Sequence, residues 1–146
     1  MSDNKSLTVA IVDDDQAVRE SLLALLESFA VEARGYPSAE AYLDALGRQN
    51  VCCLILDLNM PGMGGFQLLE ILRSRSIHTP VIVLTGRTDE HLDAKCRRAG
   101  ADRFLRKPAD GAMLVACLHQ LIRPSDLPED GQPSAWLPPR KSGLLQ

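Results

Sequence analysis

Apolar segments alternate with amphipathic ones along most of this chain. Short runs rich in valine, isoleucine and leucine, such as "VCCLILD" and "TPVIVLTG", predict buried strands. Segments with apolar residues three or four positions apart, such as "QAVRESLLALLESFA", predict helices. The predicted strands are 7–13, 31–36, 51–57, 79–86 and 101–108, and the predicted helices are 16–30, 38–48, 65–75, 89–100 and 110–122.

Five strand–helix repeats predict a doubly wound α/β fold, because near-continuous apolar strands need cover on both faces of a mostly parallel sheet. The repeats stop near Pro124, and the last 23 residues contain five prolines and two glycines. We therefore predict one domain over residues 6–123 and a proline-rich linker or flexible tail over 124–146. The only tryptophan, Trp136, is either a docking anchor within that tail or a disordered residue.

Composition and charge narrow the class of protein. A net charge of −3 and a pI of about 5.6 argue against a wholly basic nucleic-acid-binding domain. No apolar run approaches the roughly 18 residues of a membrane span. The first ten residues lack the basic-then-apolar order of a secretion signal. A cytoplasmic protein without a membrane segment is therefore expected.

The four cysteines, at 52, 53, 96 and 117, show no C-x-x-C spacing. In this context they predict reduced, buried thiols, and a zinc site is not expected. Because side chains alternate along a strand, Cys52 and Cys53 are predicted to point to opposite faces of the sheet.

Polar residues stand where the predicted strands end. In a doubly wound sheet the carboxyl ends of the strands form one edge, where ligands bind. Each residue alone has an ordinary explanation: Asp14 or Asp15 as a helix N-cap, the others as a turn cap, a strand-end hydroxyl and a solvated cation. Together they predict a site. Its residues are Asp13, Asp14, Asp15, Asp57, Thr85 and Lys107.

Clustered carboxylates repel one another unless a cation lies among them, and oxygen ligands favour Mg²⁺ or Mn²⁺. A hydroxyl and an ammonium group beside that ion suit the oxygens of a phosphoryl group. The chain has no glycine-rich nucleotide motif, but a carboxylate can itself be phosphorylated. Asp57 is the natural nucleophile, because it ends the central strand and the loop "NMPGMGG", which begins two residues after it, leaves access to it.

Four segments resemble the receiver domain of two-component response regulators: "IVDDD", "LILDLNMPGMGG", "VIVLTG" and "AGADRFLRKP". The resemblance covers roughly residues 6–123, and "VDDDQAVRESLLALL" and "YPSAEAYL" are similar to receivers that precede LuxR-type output domains. It implies a five-stranded parallel sheet in the flavodoxin-like order 2-1-3-4-5, for which receiver proteins are themselves an established example.

The resemblance also implies a role for each site residue. Asp57 would accept a phosphoryl group from a phosphohistidine on a sensor histidine kinase, and the domain would catalyse only this transfer and its own dephosphorylation. The Lys107–Pro108 bond would be cis, as X-Pro bonds can be. The other implied roles are binding of Mg²⁺ by Asp13, Asp14, Asp57 and the backbone carbonyl of Asn59, pairing of Lys107 with phosphoryl oxygens, and switching by Thr85 and Phe104.

Receivers bind partners through the fourth helix, fifth strand and fifth helix, so the resemblance implies a phosphorylation-dependent homodimer or a target protein at that surface. Four arginines make this surface basic, although a solvated face is the simpler interpretation: Arg97, Arg98, Arg103 and Arg106. Gly86 would leave the site open to water, and Arg87 would affect hydrolysis.

The 23 residues after Arg123 are too few for a helix-turn-helix domain, so the chain is expected to be a stand-alone receiver or a shortened regulator without intrinsic DNA binding. Two other functional classes are alternatives. A phosphohydrolase with an aspartyl nucleophile would need a second acid where Asn59 stands. An interaction scaffold would keep its acids without phosphorylation, and its partner binding would not change in Asp57→Asn.

Overall fold

The computed structural model describes residues 8–48, 50–86, 91–108 and 110–122. Five strands and five helices alternate along this part of the chain, as predicted. The strands are β1 (Thr8–Val12), β2 (Ala33–Tyr36), β3 (Val51–Leu56), β4 (Val81–Thr85) and β5 (Arg103–Arg106). The helices are α1 (Gln16–Ser28), α2 (Ala39–Asp44), α3 (Gly65–Ser74), α4 (Leu92–Ala99) and α5 (Gly111–Leu121).

The strands form one parallel sheet in the order β2-β1-β3-β4-β5, which confirms the predicted fold. Every residue of β1 and β4 is buried, as expected for strands that are covered on both faces. Strand residues such as Ile11 and Ile82 pack with α1 and α5 on one face. Residues such as Leu56 and Val83 pack with α2, α3 and α4 on the other.

Local signals in the sequence set several helix ends. The Asp15 carboxylate accepts hydrogen bonds from the backbone N–H groups of Ala17 and Val18, so this residue is the N-cap of α1. Ser38 caps α2 in the same way. Gly100 ends α4 with a φ of 109°, the left-handed conformation that favours glycine.

Two sequence predictions were wrong in detail. The helix predicted over 38–48 ends at Asp44, and Gly47 adopts a φ of 88° in the turns that follow. Cys52 and Cys53 do not lie on opposite faces. The register between β1 and β3 shifts after Thr8, which pairs with Val51 while the next residue pairs with Cys53. This bulge brings both thiols into the cluster beneath α1 and α5.

All four cysteines are buried and none forms a disulfide, as predicted. Within the described ranges, no helix is long and apolar enough to cross a membrane. The predicted domain limits at 6 and 123, Arg87, the start of the helix predicted at 89, and the tail with Trp136 lie outside the described residues and stay predictions.

Candidate functional site

Two aspartates lie side by side where β1 and β3 end. The backbone N–H of Asp57 donates to the carbonyl of Val12 at 3.0 Å, which extends the pairing of the two strands to the acid itself. Asp13 and Asp57 are 2% and 5% exposed, so both carboxyl groups are held at the rim of the core. The exposed Asp14 follows, and carboxylate oxygens of all three acids lie within 4.8 Å of one another. The predicted convergence of these acids is confirmed.

Lys107 reaches the same two acids from the far side of the sheet. Its Nζ lies 3.0 Å from Oδ2 of Asp13 and 3.4 Å from Oδ1 of Asp57. The backbone N–H of Lys107 donates to the carbonyl of Thr85 at 2.9 Å, which places the start of its side chain at the end of β4. The Lys107–Pro108 bond is cis, as predicted. The lysine is therefore an internal counter-ion for a pair of buried acids.

The acids nevertheless outnumber their counter-ion. Burial, and then the charge of Asp13, raise the pKa of Asp57, against the opposing effects of Lys107 and the N–H of Asn59. Burial acts to lower the pKa of Lys107, but its hydrogen bonds and charge interactions with Asp13 and Asp57 outweigh this, and the pKa is raised. Two carboxylates share one ammonium group and a third carboxylate lies beside them, so negative charge is in excess within this cluster.

Such a site fits a hard divalent cation. Asp13, Asp14 and Asp57 supply only oxygen ligands, and a cluster of this size with access to water suits Mg²⁺ or Mn²⁺. The backbone N–H of Asn59 points at Oδ1 of Asp57 over 3.4 Å, which places Asn59 beside the cluster. The role of the Asn59 carbonyl as a ligand stays a prediction.

The two predicted switch residues are placed differently. Thr85 is fully buried at the end of β4, where it pairs with Arg106, and its carbonyl accepts from the backbone N–H of Lys107. Phe104 lies in β5, pairs with Val83 and is partly buried with the cluster on the α2, α3 and α4 face. Gly86 is exposed, and among the described residues a Cβ added there would meet nothing within 4 Å, so these residues leave the approach beside Thr85 open.

The glycines after Asp57 allow a helix to begin close behind the acid. A Cβ on Gly65 would lie 2.7 Å from the carbonyl oxygen of Asp57 and 2.9 Å from Cα of Leu58. Only glycine fits between the start of α3 and the end of β3. The loop therefore turns sharply while Asp57 stays at the rim.

Sequence reasoning missed Arg19, whose Nη1 donates to the backbone carbonyl of Asp13 at 2.8 Å. A signal for it was present in Gly35, because a lone glycine within a strand indicates that another group approaches closely.

The predicted basic surface has less unpaired positive charge than the sequence indicates. Arg97 pairs with Asp93 at 3.2 Å, and Arg103 donates to the side chain of Gln120.

A family model for the response regulator receiver domain matches residues 9–119, which include all of the site described above. The chain belongs to this family. The receiver is therefore a module of two-component signal transduction and by family is not a catalytic enzyme, so the phosphohydrolase alternative is set aside. Receiver domains in general bind Mg²⁺ and interact with histidine kinases.

Relatives agree with this assignment. The receiver is 43% identical over 114 residues to the transcriptional regulatory protein FixJ of Azorhizobium caulinodans, covering 78% of this chain and 54% of that protein. It is 36% identical to the response regulator protein TodT of Pseudomonas putida strain F1, covering 84% and 54%. The crystal structure of FixJ-N matches with a TM-score of 0.73 at 34% identity, covering 83% of this chain and 94% of that one. The chain thus spans about half the length of these curated relatives.

Proposed function

We propose that this receiver accepts a phosphoryl group on Asp57 from the phosphohistidine of a sensor histidine kinase, in the presence of Mg²⁺ or Mn²⁺. The observation that carries the proposal is the buried pair of Asp13 and Asp57 bridged by Lys107 at 3.0 and 3.4 Å. A purely structural acid at this depth would need one counter-ion of its own. Here a single lysine is shared by two buried acids beside a third, exposed one.

The chemistry follows from these contacts. A carboxylate oxygen of Asp57 attacks phosphorus, the bond between phosphorus and the donor's imidazole nitrogen breaks, and the electron pair returns to the imidazole. Asp13, Asp14 and Asp57 would hold the metal, whose charge would offset that of the phosphoryl group. Lys107 already donates to Oδ1 of Asp57, so a short movement of Nζ would bring it to a phosphoryl oxygen.

The reverse half of the cycle is hydrolysis of the aspartyl phosphate, in which water attacks phosphorus and the carboxylate of Asp57 leaves. The open space at Gly86 supports access of water from the side of Thr85. We expect Arg87, which follows it in the sequence, to affect the rate. The receiver would therefore catalyse only its own phosphorylation and slow dephosphorylation.

The output of the switch would be a change at the surface formed by α4, β5 and α5. The Thr85 carbonyl accepts from the backbone N–H of Lys107, and Phe104 lies in β5, the strand that ends just before Lys107. These positions support switching by both residues when Lys107 changes partner. Met113 on α5 is 52% exposed and offers an apolar contact at this surface. We expect phosphorylation to favour a homodimer or the binding of a target protein there.

Intact-protein mass spectrometry after incubation with acetyl phosphate and Mg²⁺ tests the proposal. The expected result is the gain of one phosphoryl group, which is lost in Asp57→Asn and in metal-free buffer. Asp44→Asn, which changes an exposed acid in α2, is the matched control and should be phosphorylated normally.

If acetyl phosphate does not react, a phosphorylated histidine kinase is the second donor. Failure with both donors would refute phosphoryl acceptance and favour the scaffold alternative. That alternative also predicts partner binding that is the same in wild type and Asp57→Asn.

A further inference from the structure

Arg19 connects helix α1 to Asp13, the residue that follows β1, across the acidic turn. Its Nη1 donates to the backbone carbonyl of Asp13 at 2.8 Å, and its own backbone N–H donates to the carbonyl of Asp15 at 3.0 Å. The side chain is thus fixed at both ends, by the first turn of the helix and by the acid it contacts. Asp14 lies within the loop that these two bonds close.

Each polar group of Asp13 has a partner. Its N–H donates to the carbonyl of Tyr36 at 3.2 Å, Oδ1 accepts from the N–H of Asp15 at 2.9 Å, and Oδ2 accepts from Lys107 at 3.0 Å. Arg19 supplies the remaining bond, to the carbonyl. It is the contact that sets the direction of the peptide leading from Asp13 into Asp14.

Gly35 provides the space that Arg19 crosses. It lies in β2 opposite Ile11 of β1, and a Cβ there would be 3.2 Å from Cδ and 3.3 Å from Cγ of Arg19. Glycine weakens a strand, so its presence here is best explained by the close approach of the arginine stem. Strand β2 therefore provides the space and helix α1 provides the arginine for one hydrogen bond to the backbone of Asp13.

We propose that Arg19 is a positioning residue for the metal-binding turn of Asp13 and Asp14, and that Gly35 supplies the room it needs. This inference rests on the proposed function, because it assumes that these acids bind a divalent cation. Groups that orient metal ligands typically account for 10- to 100-fold in metal affinity. The guanidinium group itself is positive, so its charge alone would weaken cation binding.

These two effects have opposite signs and can be separated. If Arg19 positions the turn, Arg19→Met weakens metal binding. If it acts only through its charge, the same substitution strengthens binding, because a cation near the site has been removed. Arg34→Met is the matched control for charge, since Arg34 is an exposed arginine of the same strand as Gly35.

The experiment is a Mn²⁺ titration of the full, unphosphorylated chain, in which electron paramagnetic resonance measures free Mn²⁺. We expect Arg19→Met to weaken binding about tenfold, and Arg19→Lys, which keeps a donor, to recover most of the loss. Gly35→Val should weaken binding although Arg19 is present, because it displaces the stem. Arg34→Met should bind as the wild type does. Circular dichroism and the midpoint of urea unfolding identify variants that fold.

Unchanged or tighter binding in a folded Arg19→Met would overturn the inference. If Arg19→Met does not fold, the inference is overturned by a Gly35→Val that binds as the wild type does. Two other results would contradict the proposed function itself. One is a wild-type protein that does not bind Mn²⁺, and the other is Mn²⁺ binding that is retained in Asp13→Asn and Asp57→Asn. Either result removes the metal site itself and this inference with it.

Discussion

The two ends of the sheet use the same kinds of side chain in different proportions. At the carboxyl end, three acids lie together and two of them, Asp13 and Asp57, share the ammonium group of Lys107, and the pKa of Asp57 is raised. At the amino end, one guanidinium group faces one acid and several backbone carbonyls. The comparison separates an arrangement that stabilises the fold from one that leaves charge available for a ligand.

The arrangement at the amino end is centred on Arg73 of α3. Its guanidinium group donates to the carbonyls of Ile77, Thr79 and Gly100 at 2.8, 3.0 and 2.7 Å, and pairs with Oδ1 of Asp102 at 3.4 Å. The same oxygen of Asp102 accepts from the first N–H of β4, that of Val81. One cation thus joins α3 to the loops before β4 and β5, and no excess charge remains in this group.

The difference shows that ion pairs within one domain have different uses. Where donors and acceptors match, a charged residue holds loops together and contributes to stability. Where acids exceed their counter-ion, repulsion between them opposes folding and favours binding of a cation or acceptance of a phosphoryl group. The predictions below test this contrast from the larger effect to the smaller.

Arg73→Met should have the largest effect on stability. It removes donors from three carbonyls and leaves Asp102 without its cation, so we expect a loss of about 2–4 kcal/mol in the free energy of unfolding. Phosphorylation of the folded fraction should be unchanged, because the site lies at the other end of the sheet. Urea unfolding measures the loss, and Arg75→Met, at a neighbouring exposed position, is the control with a change under about 0.5 kcal/mol. Equal effects of the two substitutions would contradict the role given to Arg73.

Gly65→Ala tests how closely the carboxyl end is built around Asp57. The new Cβ would meet backbone atoms of Asp57 and Leu58 that cannot rotate away, so α3 must shift. We expect a loss of about 2 kcal/mol and slower phosphorylation by acetyl phosphate. Gly86→Ala adds the same methyl group to open space and should change stability by less than about 0.5 kcal/mol. A Gly65→Ala protein as stable and reactive as wild type would show that the start of α3 is free to move.

Asp57→Asn should make the protein more stable, by about 1 kcal/mol at neutral pH, while it abolishes phosphorylation. The pKa of Asp57 is raised above its ordinary value of 3.8, so ionisation of this group opposes folding. A raised pKa contributes stability that is present at low pH and lost as the pH rises through the folded-state value. The advantage of the asparagine variant should therefore shrink as the pH falls from the raised folded-state pKa toward 3.8, and it should be absent below 3.8.

Unfolding by urea at neutral and acidic pH measures this difference. Mg²⁺ should narrow it as well, because a bound cation stabilises the wild-type acids. If Asp57→Asn is less stable than the wild type at neutral pH, then Asp57 stabilises the fold as Arg73 does. The proposed difference between the two ends of the sheet would then be wrong.

The order of elements could be predicted from the sequence because each depends on nearby residues. The apolar run before Asp57 is sufficient to indicate β3, and Ser38 and Gly100 mark helix ends through local hydrogen bonds and backbone conformation. The end of α2 was predicted too late, because helix-forming residues continue past Asp44 and the turn there is not evident from composition.

The site was predictable only as a list of strand ends. That Asp13 and Asp57 would converge follows from any parallel sheet in which β1 and β3 are neighbours. The shared contact of Lys107 with Asp13 and Asp57 could not be predicted in this way. It requires the lysine side chain to reach across β4, and no local sequence pattern encodes such a contact. Arg73 was missed for the same reason, since its acceptors come from three separate segments. The bulge at Cys52 was missed because a shift in strand register leaves no residue pattern behind.

The buried thiols have a practical consequence for measuring how the receiver opens. Cys52, Cys53 and Cys117 lie in the cluster beneath α1 and α5, and Cys96 lies in the cluster on the opposite face. Burial raises the pKa of Cys53 and Cys117, which further slows their reaction with alkylating reagents in the folded state. The rate of modification at each cysteine therefore reports how often that layer of the protein is exposed to solvent. Without any engineered probe, such rates would distinguish opening of one face of the sheet from unfolding of the whole domain.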